Sequence, residues 1–261
     1  MNIKKNVKAI YIIWRRGIKL SSRYKVGFIS HLGQPLLWLL LLGTGLRRSV
    51  SMGSMGLTES TGIDYMAFML PGIIGMSLLF SSMMGGMRIL WDKKFGFLKE
   101  MMVAPISRVS IVLGNNFSIA TISILQGIII ILLAPLIGVD LNLFYIPIAL
   151  LFILMIGLTF TSVGVVLSTQ MEDIGSFQGI QTFLTLPLFL LSSAFFPIAK
   201  LPYPVQVIAY LYPLFYGVDG LRGALIGVST LPMWLDLLAV TFFCVVLILF
   251  GAYLFNRSEG I

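Results

Sequence analysis

The chain has 261 residues, of which 58% are hydrophobic and 11% charged, and its mean hydropathy is +0.99. Soluble domains carry about 25% charged residues, and the apolar residues here form continuous blocks near the roughly 20 that a helical bilayer span needs. That excludes a soluble domain, and it excludes a membrane β-barrel, which alternates apolar and polar residues over roughly 10-residue segments. The net charge of +8 does not argue for nucleic acid, because the basic residues flank apolar runs as the positive-inside rule expects.

Residues 3–23 predict an amphipathic helix. Ile3, Val7, Ile10, Tyr11, Trp14 and Ile18 share one arc, and Lys4, Lys5, Lys8, Arg15, Arg16, Lys19 and Arg23 share the adjoining one. Such a helix lies in the membrane interface, its apolar side among acyl chains and its basic side near anionic headgroups, with lipid as a partner. Around Trp14, Arg15 and Arg16 it serves as a topology anchor or as a lever joining the first span to a cytoplasmic partner, and the two roles are compatible. The first 25 residues hold no apolar signal core and no small-residue cleavage site, so no cleavable leader is expected.

Six spans are predicted at 27–46, 66–87, 109–134, 144–168, 177–196 and 235–255. Gln178, Gln181 and Pro187 interrupt the fifth. With both ends cytoplasmic, fourteen of the eighteen basic residues lie inside, leaving Arg47, Arg48, Lys200 and Arg222 outside. Acidic residues divide five to a side, so the bias rests on Lys and Arg, as the rule requires.

Between spans two and three, residues 91–105 form a short charged segment in an otherwise apolar chain. Leu98, Met101, Met102 and Pro105 stand at i, i+3, i+4 and i+7, a helical stripe. Asp92 is expected to cap or charge-stabilise the helix start and Pro105 to limit its end. Gly96, in the first turn, permits close backbone approach. Lys93, Lys94, Lys99 and Glu100 project elsewhere. A short helix of this kind seats in a groove of another protein, or else rests on its own membrane domain as an ordinary positive-inside loop.

From Phe196 to Pro232 the chain carries Pro197, Pro202, Pro204, Pro213 and Pro232 among many apolar residues. It is too apolar for a free loop and too broken for a span. Short helices dipping into the outer leaflet are expected, forming either a lid over an exit path or a packed cap.

The chain lacks a G-x-x-x-x-G-K-[ST] phosphate loop, so no ATP or Mg site is expected on it. It has one His and one Cys, too few for a metal cluster, and Cys244 has no partner for an internal disulfide. His31 reads as an interfacial polar residue. Gln126, Gln178 and Gln181 suit helix–helix glue, Glu172 and Asp173 a cytoplasmic turn, and Asp219 with Arg222 a local ion pair. The spans show no buried charges of the sort secondary transporters use for ions. The small and polar positions Ser77, Ser81, Gln181, Thr182 and Thr185 are candidates for a translocation path.

Two segments together resemble the type-2 ATP-binding-cassette (ABC) exporter permeases. The first, from Lys94-Phe95-Gly96-Phe97-Leu98-Lys99-Glu100 to Ala104-Pro105, is similar to that family's loop of a charged residue, Gly, spaced Leu/Met and Ala/Ser-Pro. The second comprises Ser192-Ser193-Ala194-Phe195-Phe196-Pro197, Leu201-Pro202, and Pro213-Leu214-Phe215-Tyr216 with Arg222 after five intervening residues. It resembles the family's C-terminal signature, here Pro213, Tyr216 and Arg222. The resemblance covers essentially the whole chain, as one permease domain, 1–261, with an interfacial helix at 1–25, a coupling loop at 88–108 and a re-entrant outer segment at 197–234.

Within that family the chain looks like the small permeases of drug, antibiotic and lipo-oligosaccharide export. The resemblance implies an all-α six-span fold, N-in and C-in, in the inner membrane of a prokaryote. It also implies a dimer of permeases, either a homodimer or a pair with a close paralogue, each docking a separate subunit that holds ATP and Mg. The loop helix would then couple to that ATPase through Asp92, Lys93, Lys94, Gly96, Leu98, Glu100 and Pro105. The family often has an acidic residue where this chain has Lys94 and Phe95, which implies a more acidic matching surface on the partner. The rival readings are a self-contained secondary transporter or channel, and a lipid-modifying membrane enzyme, for which no His/Asp/Glu constellation exists.

Overall fold

The computed structural model describes residues 3–23, 25–51, 64–104, 106–198 and 201–258, and these contain helices, turns and no strand. Pro105, Lys200 and Glu259, and the side chains of His31, Arg47, Arg48, Lys99 and Met102, lie outside the described set. In chain order the helices are α1 (Ile3–Arg23), α2 (Lys25–Ser51), α3 (Tyr65–Lys94), α4 (Phe97–Val103) and α5 (Arg108–Leu133). They continue with α6 (Ile146–Thr169), α7 (Ile174–Leu190), α8 (Tyr203–Tyr210), α9 (Pro213–Ile226) and α10 (Met233–Ser258).

Four of them, α3, α5, α6 and α10, are long and apolar enough to cross a bilayer, and α2 follows α1 after a bend of 81°. α3 is the central element. In its most apolar window 83% of residues are buried, against 22% in α10 at the periphery. Its closest neighbour is α6, and the approach depends on glycine. A Cβ on Gly86 would lie 2.1 Å from the carbonyl carbon of Gly164, and one on Gly164 would lie 2.6 Å from the Met83 carbonyl oxygen. In lipid, where apolar burial gives helices little reason to associate, such small-residue contacts let backbones meet and dispersion act.

Two predicted boundaries move. α3 runs on past residue 87 to Lys94, because charged side chains end an apolar run without ending a helix. The segment 177–196 is not one helix: α7 stops at Leu190 and gives way to turns through Phe196. Pro187 lies inside α7, the Ser192 N–H turns back to the Phe189 carbonyl at 3.1 Å, and Ser193 takes a left-handed φ of 63°. A chiral residue in that region ends helix propagation. The N-terminus of α7 is set by Asp173, whose carboxylate accepts from the Ser176 N–H at 2.9 Å.

α1 also makes a contact that its wheel does not show. It packs lengthwise on α5 through a narrow seam of small residues and Ile13. Ala9 and Gly17 are buried, a Cβ on Gly17 would meet the Ser118 Oγ at 2.3 Å, and one on Gly114 would meet Ile13. Val7 and Tyr11, assigned by size to the apolar arc, are exposed outside that seam. The small residues carry little hydrophobic weight, so a wheel scored on large side chains passes over them.

Candidate functional site

The end of the bundle where α3 turns into α4 is built around Arg16. Its guanidinium donates from Nη2 to Asp92 Oδ1 at 2.6 Å and from Nη1 to Asp92 Oδ2 at 2.9 Å, a bidentate pair across 76 residues of sequence. It also lies over the Phe97 ring, 5.3 Å from the centroid, and reaches Met101 Sδ at 3.9 Å. One side chain of α1 therefore holds both the last turns of α3 and the first turn of α4. Asp92 does not cap α4, as its sequence position suggested. It belongs to α3, and its charge is used by Arg16. Trp14 is fixed by an Nε1 hydrogen bond to Thr121 Oγ1 at 3.0 Å, and Arg15 is exposed.

The turn from α3 into α4 depends on Gly96, which precedes α4 rather than lying in its first turn. Its φ of 81° is left-handed, and its N–H reaches the Lys93 carbonyl at 3.3 Å. Without a Cβ, glycine adopts that conformation at little cost. Lys93 and Lys94 are exposed in the last turn of α3. In α4, Leu98 is only 2% exposed and packs with Ile89, Ile111, Val112, Val165 and Phe255, and Met101 lies against the same cluster. Leu98 and Met101 of the predicted stripe therefore rest on their own membrane domain. The face turned away carries Phe97, Glu100 and Val103, with Phe97 50% and Val103 87% exposed. An open groove of about 550 Å3 separates α4 from α1, lined by Lys5, Lys8, Ile12, Arg16, Phe97 and Glu100.

The candidate path residues do not converge on one space. Ser77 is fully buried, while Gln181 and Thr185 are buried on α7, Thr185 Oγ1 donating to the Gln181 carbonyl at 2.6 Å and reaching Met83 Sδ at 3.6 Å. Thr182 is exposed. Ser81 alone of the five lines a second cavity, toward the Lys94 end of α3.

At the opposite end, Arg222 of α9 is fully enclosed. Its Nη2 donates to the Ser193 carbonyl at 2.6 Å, its Nη1 to Ser193 Oγ at 3.2 Å and to Asp219 Oδ1 at 3.4 Å, and its guanidinium sits 4.0 Å from the Phe68 ring centroid. The expected Asp219–Arg222 pair is present, and it does more than neutralise charge. Asp219 also accepts from the Thr230 and Leu231 N–H groups at 2.7 and 2.9 Å, fixing the turn before α10. Arg222 fixes the break after α7. Tyr216 donates to the Tyr210 carbonyl at 2.7 Å, joining α9 to α8, and Pro213 is the first residue of α9.

Sequence reasoning missed two charges. Asp236 of α10 is fully buried, and neither carboxylate oxygen has a hydrogen-bond partner among the described residues. Arg88 lies half-buried inside α3. The spans are thus not free of buried charge. Had α3 been extended through its charged end, the four-residue spacing of Arg88 and Asp92 would have put both on one face. Among the described residues no group of three or more His, Cys, Asp or Glu side chains could hold a metal ion.

The family model described as ABC-2 type transporter matches residues 8–226. The chain belongs to the ABC-2 type transporter family. It is 30% identical to the transport permease ycf38 of Cyanophora paradoxa over 83% of this chain and 73% of that one. It is 30% identical to nodulation protein J of Rhizobium leguminosarum bv. trifolii over 82% of this chain and 80% of the relative. The inner membrane transport permease YadH of Escherichia coli (strain K12) is 23% identical over 77% and 78%. As an ABC-2 permease, the chain is the multi-pass membrane subunit of an ABC transporter, and membership in this family implies a separate ATP-binding subunit as partner.

Proposed function

We propose that this ABC-2 permease forms half of the translocation path of an ATP-driven exporter for an amphiphilic, drug-like or lipid-linked substrate. Two copies pair in the inner membrane of a prokaryote. In each, α2, α3, α5, α6, α10, and α7 with the turns after it, make six crossings with both ends cytoplasmic. α8 and α9 form a re-entrant segment at the outer face. ATP and Mg are held by the partner, and α4 docks in a cleft of that subunit through the exposed face bearing Glu100, with Lys93, Lys94 and Gly96 beside it. Closure of the ATPase pair on ATP pushes α4, and the cavity between the permeases opens outward.

The observation that carries this reading is the way α4 is mounted. Its inner face is locked to the membrane domain by Leu98, and its first turn is tied to α1 and α3 by Arg16. Its outer face offers Glu100 and Val103, both exposed, beside the half-exposed Phe97 under the Arg16 guanidinium. A helix only seven residues long has little stability of its own, so these anchoring contacts are what hold it in shape, and through them a push on that face passes to α1 and α3.

Co-purification with the ATP-binding subunit encoded alongside, followed by an ATPase assay, tests the proposal. Gly96→Ala and Glu100→Ala should each weaken association or uncouple hydrolysis from transport. If no ATP-binding subunit associates, or if both variants keep full association and transport, the proposal fails.

A further inference from the structure

A cavity of about 480 Å3 opens beneath α1, among α2, α3, α4 and α5, within the size range of small-molecule sites. Most of its wall is apolar, from residues such as Phe28, Met84, Met87 and Ile119. Two polar groups in it are incompletely matched.

The first is Arg88. It donates to the Gly17 carbonyl at 3.2 Å, to Ser118 Oγ at 3.5 Å, and to Ser21 Oγ. All three acceptors are neutral, and a guanidinium has five N–H donors. Among the described residues no carboxylate stands within ion-pair distance of Arg88; the charge of Asp92, one turn on, acts on it from farther off, but both Asp92 oxygens are bonded to Arg16, a second cation that acts on Arg88 in the opposite sense. A half-buried cation against apolar walls is costly until an anion joins it.

The second is Gln126 of α5. It is 1% exposed, and its Oε1 accepts no hydrogen bond among the described residues. Arg88 meets α5 at Ser118, and Gln126 stands eight residues farther along. At 1.5 Å per residue it lies about 12 Å deeper in the membrane domain.

We infer that this cavity is a binding site for an amphiphile with an anionic end, held by Arg88, and a hydroxyl or amide N–H about 12 Å along its apolar body, donated to Gln126. This deepens the amphiphile-export reading and rests on it for the ligand's role as cargo. A plain diacyl phospholipid supplies the anion but no donor at that depth, so the two matched groups select cargo over bulk lipid.

The test uses the permease alone, in nanodiscs of zwitterionic lipid, with 10-hydroxydecanoate, decanoate and decanol as probes. Binding is read from the fluorescence of Trp91, which lines the cavity, with Trp91→Phe as the signal control. Wild type should bind 10-hydroxydecanoate at least three-fold tighter than decanoate, and decanoate at least ten-fold tighter than decanol. Arg88→Gln should erase the second preference and Arg88→Lys retain most of it. Gln126→Leu should erase only the first, and because it removes an unmatched buried oxygen it should leave the melting temperature at or above wild type. Met84→Trp, which fills the cavity without touching either polar group, should weaken all three probes.

Unchanged preferences in Arg88→Gln and Gln126→Leu would overturn the inference. So would phosphatidylglycerol displacing the probe equally from wild type and Gln126→Leu, which would assign the cavity to membrane phospholipid. Because no ATP-binding subunit is present, a negative result here is separate from a failure of the coupling proposal.

Discussion

Breaking the Arg16–Asp92 pair should loosen the α3–α4 end of the bundle by a small, measurable amount. The two hydrogen bonds, 2.6 and 2.9 Å long, have the bidentate geometry that strengthens such pairs. Against this, the Arg16 side chain is 35% exposed and that of Asp92 22%, so solvent screens the charges. Hydrogen bonds to charged groups contribute about 1.5–3 kcal/mol and exposed ion pairs about 0.2–1 kcal/mol. A half-exposed bidentate pair falls between them, at about 1–1.5 kcal/mol of coupling. A double-mutant cycle of Arg16→Gln, Asp92→Asn and the double variant, followed by reversible unfolding in detergent, measures that coupling directly. Arg16→Gln should cost about 0.5–1 kcal/mol more than Asp92→Asn, because it also removes the cation from the Phe97 face. Raising the salt to about 1 M, where the Debye length is about 3 Å, should shrink the coupling. Both single variants should lower ATP-driven transport while the ATP-binding subunit still associates, since the outer face of α4 is untouched. Single-variant costs that add within about 0.3 kcal/mol, together with unimpaired transport in Asp92→Asn, would refute this account of how α4 is mounted.

Gly86→Ala should destabilise by about 3 kcal/mol by forcing α3 from α6, whereas Gly33→Ala, whose Cβ meets nothing within 4 Å, should stabilise α2 by about 0.5–1 kcal/mol; thermal unfolding of the two variants checks both signs. Arg222→Met strands Asp219 and unties Ser193, and should cost about 3–5 kcal/mol in the same assay. The Asp173 carboxyl is held below its ordinary value of 3.8, chiefly by the Ser176 N–H. Its cap on α7 therefore contributes fully above that value and is lost as the pH falls through the lower folded value. Protection of the first-turn amides of α7, taken as the exchange rate relative to the intrinsic rate at each pH, should fall on acidification, and Asp173→Ala should show the low protection at every pH.

Local chemistry made much of the architecture legible. Continuous apolar runs place α5, α6 and α10 within about three residues of their observed ends, and prolines followed by short apolar stretches foretell α8 and α9. The Asp219–Arg222 pair is readable because its partners are three apart on one helix. The rest depends on distance in sequence. Nothing near Asp92 announces Arg16, and nothing near Arg222 announces Ser193, because each pair is assembled only when separate helices pack. The orientation of α4 stays open in the sequence for a related reason. A stripe of Leu98 and Met101 tells that one face is buried, and not whether the cover is a partner or the chain's own α3, α5 and α6. The small-residue contacts of Gly17, Gly86 and Gly164 were invisible to any reading weighted by hydrophobicity, since their contribution is the absence of a side chain.

The two polar nodes owe their importance to the helix between them. Asp92, in the last turn of α3, is gripped by Arg16. Phe68, in its first turn, lies under the Arg222 guanidinium, and its carbonyl accepts from Arg222 Nε at 3.5 Å. The 24 residues separating them span about 36 Å of continuous helix, the most deeply buried in the fold. Close packing against α6 leaves α3 little freedom to bend near Gly86, while Pro71, beside the outer node, removes one rung of the helix ladder. In the proposed cycle, a push received by α4 therefore travels along α3 as displacement of a stiff rod. It reaches the outer segment where Arg222 already joins α3, the turn after α7, and, through Asp219, the turn before α10. The break at Ser193 lies at that junction, in a left-handed conformation that only a well-determined surrounding maintains. An outer gate would have its hinge there, with the non-helical backbone covered by protein as its position at the end of a span requires.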